Sequence, residues 1–322
     1  MLEESIRKTA EAVDLLIEAS LMGNGSPLYK SAYHLPSQGG KRMRPFLVVK
    51  SCELSGGDVR KALPAAASVE LLHNFTLVHD DIMDNDLLRR GSPTVHTVWG
   101  IPMAILSGDL LFAKAFEVLL AGTVSSDALR RSGQVLAEAT VRLSEGQSLD
   151  MSFEDQLEVS EAEYLEMISG KTAALFEACA KIGCIIAGGN EDAIKSLGRY
   201  GWNMGMAFQI FDDYLGLTSK EEVLGKSVGN DIREGKKTLI VIKTLETSVK
   251  EPLIRLLGQK NASDADLTSL ISEIKSHGIL DYVRGKAVFY VESANSSISG
   301  FPDSPAKDEL IELAEYTIMR RK

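Results

Sequence analysis

The longest stretch without proline is the feature that most restricts the fold of this chain. No proline occurs between Pro102 and Pro252, although a β-sheet protein would need many tight turns over such a distance, and proline is common in turns. Alternating β-branched segments bounded by Asn-Gly or Asp-Gly turns are also absent. The sequence therefore predicts an all-α fold.

Within this stretch, apolar residues recur at helical spacing. Ser160 and Glu163 form the sequence signature of a capping box, and an apolar stripe follows them until the Gly188-Gly189 pair. We predict one helix from Ser160 to this pair and a second over about residues 190–217. No linker, low-complexity tract or long repeat interrupts the pattern, so we predict a single domain over residues 1–322.

The composition excludes several classes of protein. Among 322 residues there are 35 Lys and Arg against 45 Asp and Glu, a net charge of −10, which argues against a nucleic-acid partner. No stretch approaches the roughly 18 uncharged apolar residues of a membrane span, so stable membrane insertion is not expected. The three cysteines form no CxxC pair, which favours a reducing, cytoplasmic location.

The first cluster with chemical potential is the pair Asp80 and Asp84, which lie one helical turn apart. At about 4 Å and an effective dielectric of 20, two carboxylates repel by about 4 kcal/mol unless a cation separates them. Oxygen ligands at this spacing suit Mg²⁺, although a solvated acidic helix face has the same pattern. Arg89 and Arg90 follow, either as partners of an anionic ligand or as cations that compensate the helix dipole before a glycine cap at Gly91.

A second acidic cluster begins at Asp212, and the face behind it carries Phe208, Gly205, Gly201 and Gly198. Each glycine inside a helix costs up to about 1 kcal/mol relative to alanine. The glycines suggest either close contact between helices or a bulky ligand, and the aromatic and acidic neighbours favour a ligand cavity.

Three further groups of cations complete the pattern. Lys171 lies inside the apolar stripe of the Ser160 helix, where its side chain either extends to the solvent or pairs with a buried anion. Lys41, Arg42 and Arg44 follow two glycines in a turn that suits phosphate. The glycines and cations of residues 225–237 predict a mobile, cation-bearing loop.

Taken together and in this order, the clusters from Gly39 to Thr238 resemble the trans-polyprenyl diphosphate synthase family, and archaeal members in particular. The resemblance implies a single large helical bundle of the isoprenoid synthase type around a deep central cavity, a homodimer, and three Mg²⁺ ions per active site. It also implies the following roles: Asp80, Asp84 and Asp212 as metal ligands; Arg89, Lys171, Thr172, Gln209, Lys226 and Lys236 on the allylic diphosphate; Lys41, Arg44, His73 and Arg90 on isopentenyl diphosphate.

The implied reaction is ionisation of an allylic diphosphate (dimethylallyl, geranyl or farnesyl), condensation with isopentenyl diphosphate, and elimination of a proton. Asp80, Asp84, Asp212, Lys171 and Arg89 are the implied catalytic residues. In one departure from the family pattern, Gly216 stands where many members have a third aspartate, so no metal-ligand role is expected there.

The resemblance also implies a product of twenty carbons, geranylgeranyl diphosphate. Phe75, five positions before Asp80, and Thr76, four before, match the residues that limit chain length in the archaeal C20 enzymes. An ideal helix places Phe75 about 140° away from Asp80, so this role depends on the resemblance or on a local bend. Farnesyl diphosphate is the alternative product.

Three other functions compete with this interpretation. Terpene cyclases share the first aspartate cluster, but they lack the Lys41 and Arg44 site. An HD-type phosphohydrolase fits the His79-Asp80 dipeptide, but it needs further histidine ligands. A non-catalytic partner subunit would have lost aspartates from one of the two clusters, and both are intact here.

Overall fold

The computed structural model describes residues 2–23, 25–154, 156, 158–218 and 229–319, and these residues are almost entirely helical. The α-helices, numbered in chain order, are α1 Leu2–Leu21, α2 Pro27–His34, α3 Met43–Leu54, α4 Val59–Met83, α5 Val95–Trp99, α6 Ile101–Leu120, α7 Ser126–Glu154, α8 Glu161–Ile168, α9 Ala174–Ile186, α10 Glu191–Thr218, α11 Asn230–Glu234, α12 Leu239–Leu245, α13 Lys250–Leu256, α14 Asp264–Ser276, α15 Ile279–Ser297 and α16 Pro305–Met319. The predicted all-α class is confirmed.

The exceptions to α-helix are short. A 3₁₀ turn covers Pro36–Gln38, a π-helical turn covers Ser169–Ala173, and the strands β1 (Leu88–Arg89) and β2 (Ser92–Pro93) form a two-stranded antiparallel hairpin. Within the described ranges, no helix has the length and apolar content that a membrane span requires.

The described chain divides into two compact units, each assembled from separate segments. Unit 1 comprises Met1–Glu138, Ala178–Gly198 and Gly300–Leu310, and unit 2 comprises Ala139–Glu177, Arg199–Ser299 and Ile311–Lys322. The single domain over residues 1–322 stays a prediction.

Helix α4 is the centre of unit 1. It packs against α1, α3 and α6, and the run from Ala65 to Leu72 is buried at every position. A helix that is buried on all sides must be surrounded by other helices. Asp58 caps its first turn by accepting a hydrogen bond from the Arg60 backbone amide at 3.0 Å, and its last residues carry the first aspartate cluster.

The capping box at Ser160 forms as predicted. The Ser160 hydroxyl accepts a hydrogen bond from the Glu163 amide, and the Glu163 carboxylate accepts one from the Ser160 amide at 2.8 Å. The helix does not run unbroken to Gly188, because the π-helical turn separates α8 from α9. Helix α10 spans Glu191–Thr218, close to the predicted 190–217.

The glycines of α10 serve close contact between helices, the first of the two alternatives. A Cβ atom on Gly201 would lie 2.4 Å from the Phe176 carbonyl oxygen, and one on Gly205 would lie 2.6 Å from Ala173 Cα. Both distances are far shorter than van der Waals contact. Glycine therefore lets α10 pack directly on the backbone of α9 and of the turn before it.

Candidate functional site

Unit 1 brings together three of the four residues predicted to hold isopentenyl diphosphate. Arg44, in the first turn of α3, donates from Nη1 towards His73 Nε2 at 3.2 Å. Burial first, and then the positive charges of Arg44 and Arg90, hold the pKa of His73 well below its usual 6.5. His73 is therefore neutral at pH 7, and its ring nitrogen can accept the hydrogen bond from Arg44. Lys41, the fourth residue, is exposed on the turn before α3.

Arg42 does not belong to this phosphate site, although the sequence places it between Lys41 and Arg44. Its side chain is buried, and it forms ion pairs with Asp14 at 2.8 Å and with Glu70 at 2.7 Å. Its guanidinium also donates to the carbonyl oxygen of Gly39, which accepts a second hydrogen bond from Arg90. Arg42 thus ties the glycine turn to α1 and α4.

The first aspartate cluster lies where α4 ends. Asp84 is the C-cap residue, and its amide donates to the Asp80 carbonyl oxygen at 2.8 Å, so the two residues are one turn apart as predicted. Asp80 is half-buried and Asp84 is exposed.

Arg89 and Arg90 do not compensate the end of α4, because they belong to the hairpin. Arg89 ends β1, and Arg90 and Gly91 form the turn with positive φ angles of 53° and 75°. Arg89 Nε donates to the buried Asp81 carboxylate at 2.5 Å. Burial raises the pKa of Asp81, and the charge of Arg89 opposes that rise.

Phe75 and Thr76, the residues predicted to limit product length, lie on α4 in different surroundings. The Phe75 ring contacts His79 and Phe112, with ring centroids 4.9 and 5.4 Å apart. Thr76 is buried, and its hydroxyl donates to the His73 carbonyl oxygen at 2.8 Å. Phe75 is therefore part of an aromatic group and only partly buried.

Unit 2 contains a cavity of about 140 Å³ in which acidic and basic side chains meet. Its carboxylates come from α7, α10 and α11, and its lysines come from the π-helical turn and from the segment before α12. The lining residues are Asp150, Tyr164, Met167, Ile168, Lys171, Gln209, Asp212, Asp213, Asp231, Lys236, Lys237 and Thr238.

Lys171 forms an ion pair with a carboxylate in this cavity, and its side chain does not simply extend into the solvent. Its Nζ atom lies 2.5 Å from the Asp150 carboxylate of α7. The π-helical turn that carries it contacts α7 closely: a Cβ atom on Gly146 would lie 2.1 Å from the Lys171 nitrogen, and one on Gly170 would lie 2.6 Å from the Arg142 carbonyl oxygen. Turns of this type often occur at functional sites.

The second aspartate cluster is linked to a buried hydrogen-bond network. Asp213 accepts from the Tyr164 hydroxyl at 2.7 Å and from Gln209 Nε2 at 2.9 Å, and Gln209 Oε1 accepts from the Thr172 hydroxyl at 2.8 Å. Burial raises the pKa of Asp213 to about 8, and the nearby Asp231 adds to the rise. Gln209 and Thr172, both predicted allylic contacts, are thus in direct contact with each other.

The residues present fit Mg²⁺ in their donor chemistry. Asp80 and Asp84 in unit 1, and Asp212 in unit 2, offer carboxylate oxygens, the ligands that Mg²⁺ prefers. Over the described part of the chain, no group of three or more acidic, histidine or cysteine side chains could hold a metal ion. Mg²⁺ in proteins commonly binds through one or two carboxylates, water and substrate phosphates.

Several residues of the cavity were missed by sequence reasoning, and one predicted residue cannot be placed. Asp150 and Tyr164 carry no local signal, because an acid and a tyrosine in long helices are ordinary. Asp231 lies in the segment predicted to be a loop, where the structure has the short helix α11. Lys236, a predicted contact of the allylic diphosphate, lines the cavity, whereas Lys226 lies outside the described residues.

Comparison with known proteins places the chain in a family. The sequence profile described as polyprenyl synthetase matches residues 26–274. A geranylgeranyl diphosphate synthase of Sulfolobus acidocaldarius is 46% identical, covering 97% of this chain and 96% of its own. The crystal structure of geranylgeranyl pyrophosphate synthetase from Pyrococcus horikoshii has a TM-score of 0.95 and 44% identity, over 99% and 98% of the two chains.

A polyprenyl synthase from Caulobacter crescentus, complexed with calcium and isoprenyl diphosphate, has a TM-score of 0.91 and 34% identity, over 100% of this chain and 98% of that one. These likenesses extend over nearly the full chain, and they confirm both the isoprenoid synthase type of fold and the prediction of a prenyltransferase. The chain belongs to the polyprenyl synthetase family.

Proposed function

We propose that this chain condenses isopentenyl diphosphate with an allylic prenyl diphosphate and that its main product is geranylgeranyl diphosphate. The observation that carries the proposal is the cavity of unit 2, in which carboxylates and lysines converge beside the apolar side chains of Met167 and Ile168. Such a site suits a metal-bound diphosphate attached to a hydrocarbon chain. The relatives described as geranylgeranyl diphosphate synthases support the product.

We assign the allylic diphosphate to the residues near the two aspartate clusters. Asp80, Asp84 and Asp212 would hold three Mg²⁺ ions, and these ions would supply positive charge to the departing diphosphate. The resemblance assigns further contacts with the allylic diphosphate to Arg89, Lys171, Thr172, Gln209, Lys226 and Lys236. These positive groups are preorganised, so they stabilise the charge that develops as the C–O bond breaks.

The second substrate requires no metal. Lys41, Arg44, His73 and Arg90 hold the diphosphate of isopentenyl diphosphate, and the neutral His73 ring accepts from Arg44 so that the guanidinium keeps its orientation. The double bond of this substrate attacks the allylic carbocation, and the departed diphosphate accepts the proton that is then lost. The protein itself contributes orientation and exclusion of water.

We also propose that the chain acts as a homodimer. Helix α6 of unit 1 carries exposed large apolar residues, among them Ile101, Leu106 and Leu120 at 53, 51 and 56% exposure. Exposed apolar patches of this kind are typical of protein interfaces. Sedimentation equilibrium at micromolar concentration should give an apparent mass of twice the chain mass. Leu106→Glu should lower the apparent mass towards that of a single chain.

The assignment of two substrates to two sets of residues can be tested by kinetics. Lys41→Ala and Arg44→Ala should raise KM for isopentenyl diphosphate by about ten-fold, since each removes a charged hydrogen bond, with a smaller effect on the allylic substrate. Lys171→Ala should instead weaken the allylic substrate or slow ionisation. Lys61→Ala, an exposed lysine of α4, serves as the control. Interchangeable kinetic patterns in the two sets would contradict the assignment.

A further inference from the structure

Tyr164 is a buried tyrosine whose hydroxyl points at the second aspartate cluster. Its side chain is 1% exposed, and its hydroxyl donates to Asp213 Oδ2 at 2.7 Å. The other carboxylate oxygen of Asp213 accepts from Gln209, and Gln209 accepts from Thr172. Four side chains therefore form one continuous row of hydrogen bonds, with Tyr164 at one end and Thr172 at the other.

This row ties one segment of unit 2 to another at two points. Tyr164 is on α8 and Thr172 is within the π-helical turn, so the two ties flank the stretch from residue 165 to residue 171, which includes Lys171. Their partners Asp213 and Gln209 are one helical turn apart on α10. A π-helical turn is rare and departs from the regular α-helical hydrogen bonds, and the hydrogen bond from Thr172 to Gln209 is one of the side-chain contacts that hold it. Lys171 is the residue next to Thr172 within the turn.

The row also sets the direction of each donor. Gln209 turns its amino group towards Asp213 and its carbonyl oxygen towards Thr172. Removing the Tyr164 hydroxyl would leave a buried carboxyl oxygen of Asp213 without its donor. An unsatisfied buried acceptor costs free energy, because it is separated from water as well as from its partner. Asp213 and Gln209 would then rearrange, and the hydrogen bond from Thr172 of the π-helical turn to Gln209 would be disturbed with them.

We propose that Tyr164 is a positioning residue for the allylic substrate: through Asp213 and Gln209 it holds Thr172 and the π-helical turn that carries Lys171. This inference rests on the proposed function, since it takes Thr172, Gln209 and Lys171 as allylic contacts. Tyr164 acts through its neighbours and has no direct role in the chemistry.

The test is the substitution Tyr164→Phe, which removes only the hydroxyl. We expect kcat/KM for the allylic diphosphate to fall by roughly ten-fold, as for loss of a buried hydrogen bond, and KM for isopentenyl diphosphate to stay within about two-fold. Tyr200→Phe is the matched control, because Tyr200 is equally buried in unit 2 and its hydroxyl lies 3.7 Å from the Met204 sulfur. The control should leave both substrates unchanged.

A double-mutant cycle separates positioning from a general loss of stability. If Tyr164 acts through Asp213, the effects of Tyr164→Phe and Asp213→Asn on allylic kcat/KM should be strongly non-additive in the double variant. If Tyr164→Phe does not fold, Asp213→Asn must by itself reproduce the defect that is confined to the allylic substrate.

Two results would overturn the proposal: kinetics of folded Tyr164→Phe equal to those of Tyr200→Phe, or additive effects in the cycle. Failure of the proposed function would look different, since the wild-type protein itself would then form no longer prenyl chain.

Discussion

Asp80 and Asp212 are single residues on which the proposed reaction depends most strongly. Asp80→Ala or Asp212→Ala should each lower turnover by at least about 100-fold, the scale of removing one preorganised electrostatic partner. Initial rates at saturating Mg²⁺ and substrates measure the effect. Asp127→Ala removes a 66% exposed aspartate of α7 and should leave turnover near the wild-type value. A near-normal rate in either site variant would remove that residue from the metal site.

The roles of single residues were partly accessible from the sequence. Asp80, Asp84 and Lys171 stand out because charge at helical spacing, or charge inside an apolar stripe, is a local signal. Arg42 could not be separated from Arg44 by the same means. Its partners Asp14 and Glu70 each lie 28 residues away in the chain, so only the folded structure shows that this arginine is buried and paired.

At the scale of helices, the close contact between α9 and α10 can be tested through its glycines. Gly201→Ala should destabilise the fold by about 1–3 kcal/mol, because the new methyl group would overlap the Phe176 carbonyl. Gly285→Ala is the control: Gly285 lies within α15 with no atom near its Cβ position, so alanine should stabilise by up to about 1 kcal/mol. Urea denaturation measures both. Equal effects of the two substitutions would contradict the proposed contact.

A second prediction concerns the joint between α8, α12 and α15. Glu161 of α8 accepts from Lys286 at 2.7 Å, Lys243 at 2.9 Å and Tyr282 at 2.8 Å. Partial burial opposes ionisation, but the hydrogen bonds from Lys286, Lys243 and Tyr282 outweigh it and lower the pKa of Glu161 from 4.5 to about 2. Because the pKa is lower in the folded state, the stabilisation is full above about pH 4.5 and is lost as the pH falls towards 2.

Glu161→Gln should therefore lower the free energy of unfolding by about 1–3 kcal/mol at pH 7. The difference from wild type should narrow as the pH falls from 4.5 towards 2. Denaturation curves at several pH values provide the measurement, with Glu166→Gln, an exposed residue of the same helix, as the control. A difference that is independent of pH would show that the charge of Glu161 is not what joins the helices.

The helices themselves were predictable where their signals are local, as with the capping box at Ser160 and the extent of α10. The π-helical turn was not predictable, since it depends on the close approach of α7 that Gly146 and Gly170 permit. The hairpin at Arg89 was missed for a related reason. Its two-residue turn needs positive φ at both positions, usually filled by Asn-Gly or Asp-Gly, and here the first position is Arg90.

At the scale of the whole molecule, the property that can be tested is the length of the product. Phe75→Ala should lengthen the product, because it removes an aromatic ring that contacts Phe112. Thr76→Phe should shorten it by adding bulk one turn before Asp80. Chromatography of the dephosphorylated products gives the lengths. If both variants stop at the wild-type length, the limit lies elsewhere in the chain.

The central claim is that the chain extends a prenyl diphosphate, and labelled substrate tests it most directly. Purified protein is incubated with Mg²⁺, radiolabelled isopentenyl diphosphate and dimethylallyl, geranyl or farnesyl diphosphate in turn. We predict that the label accumulates in geranylgeranyl diphosphate with each primer. Label that accumulates only in farnesyl diphosphate would change the assigned product but would leave the proposed type of reaction intact. Release of phosphate or of a hydrocarbon, with no label in a longer prenyl chain, would contradict the account.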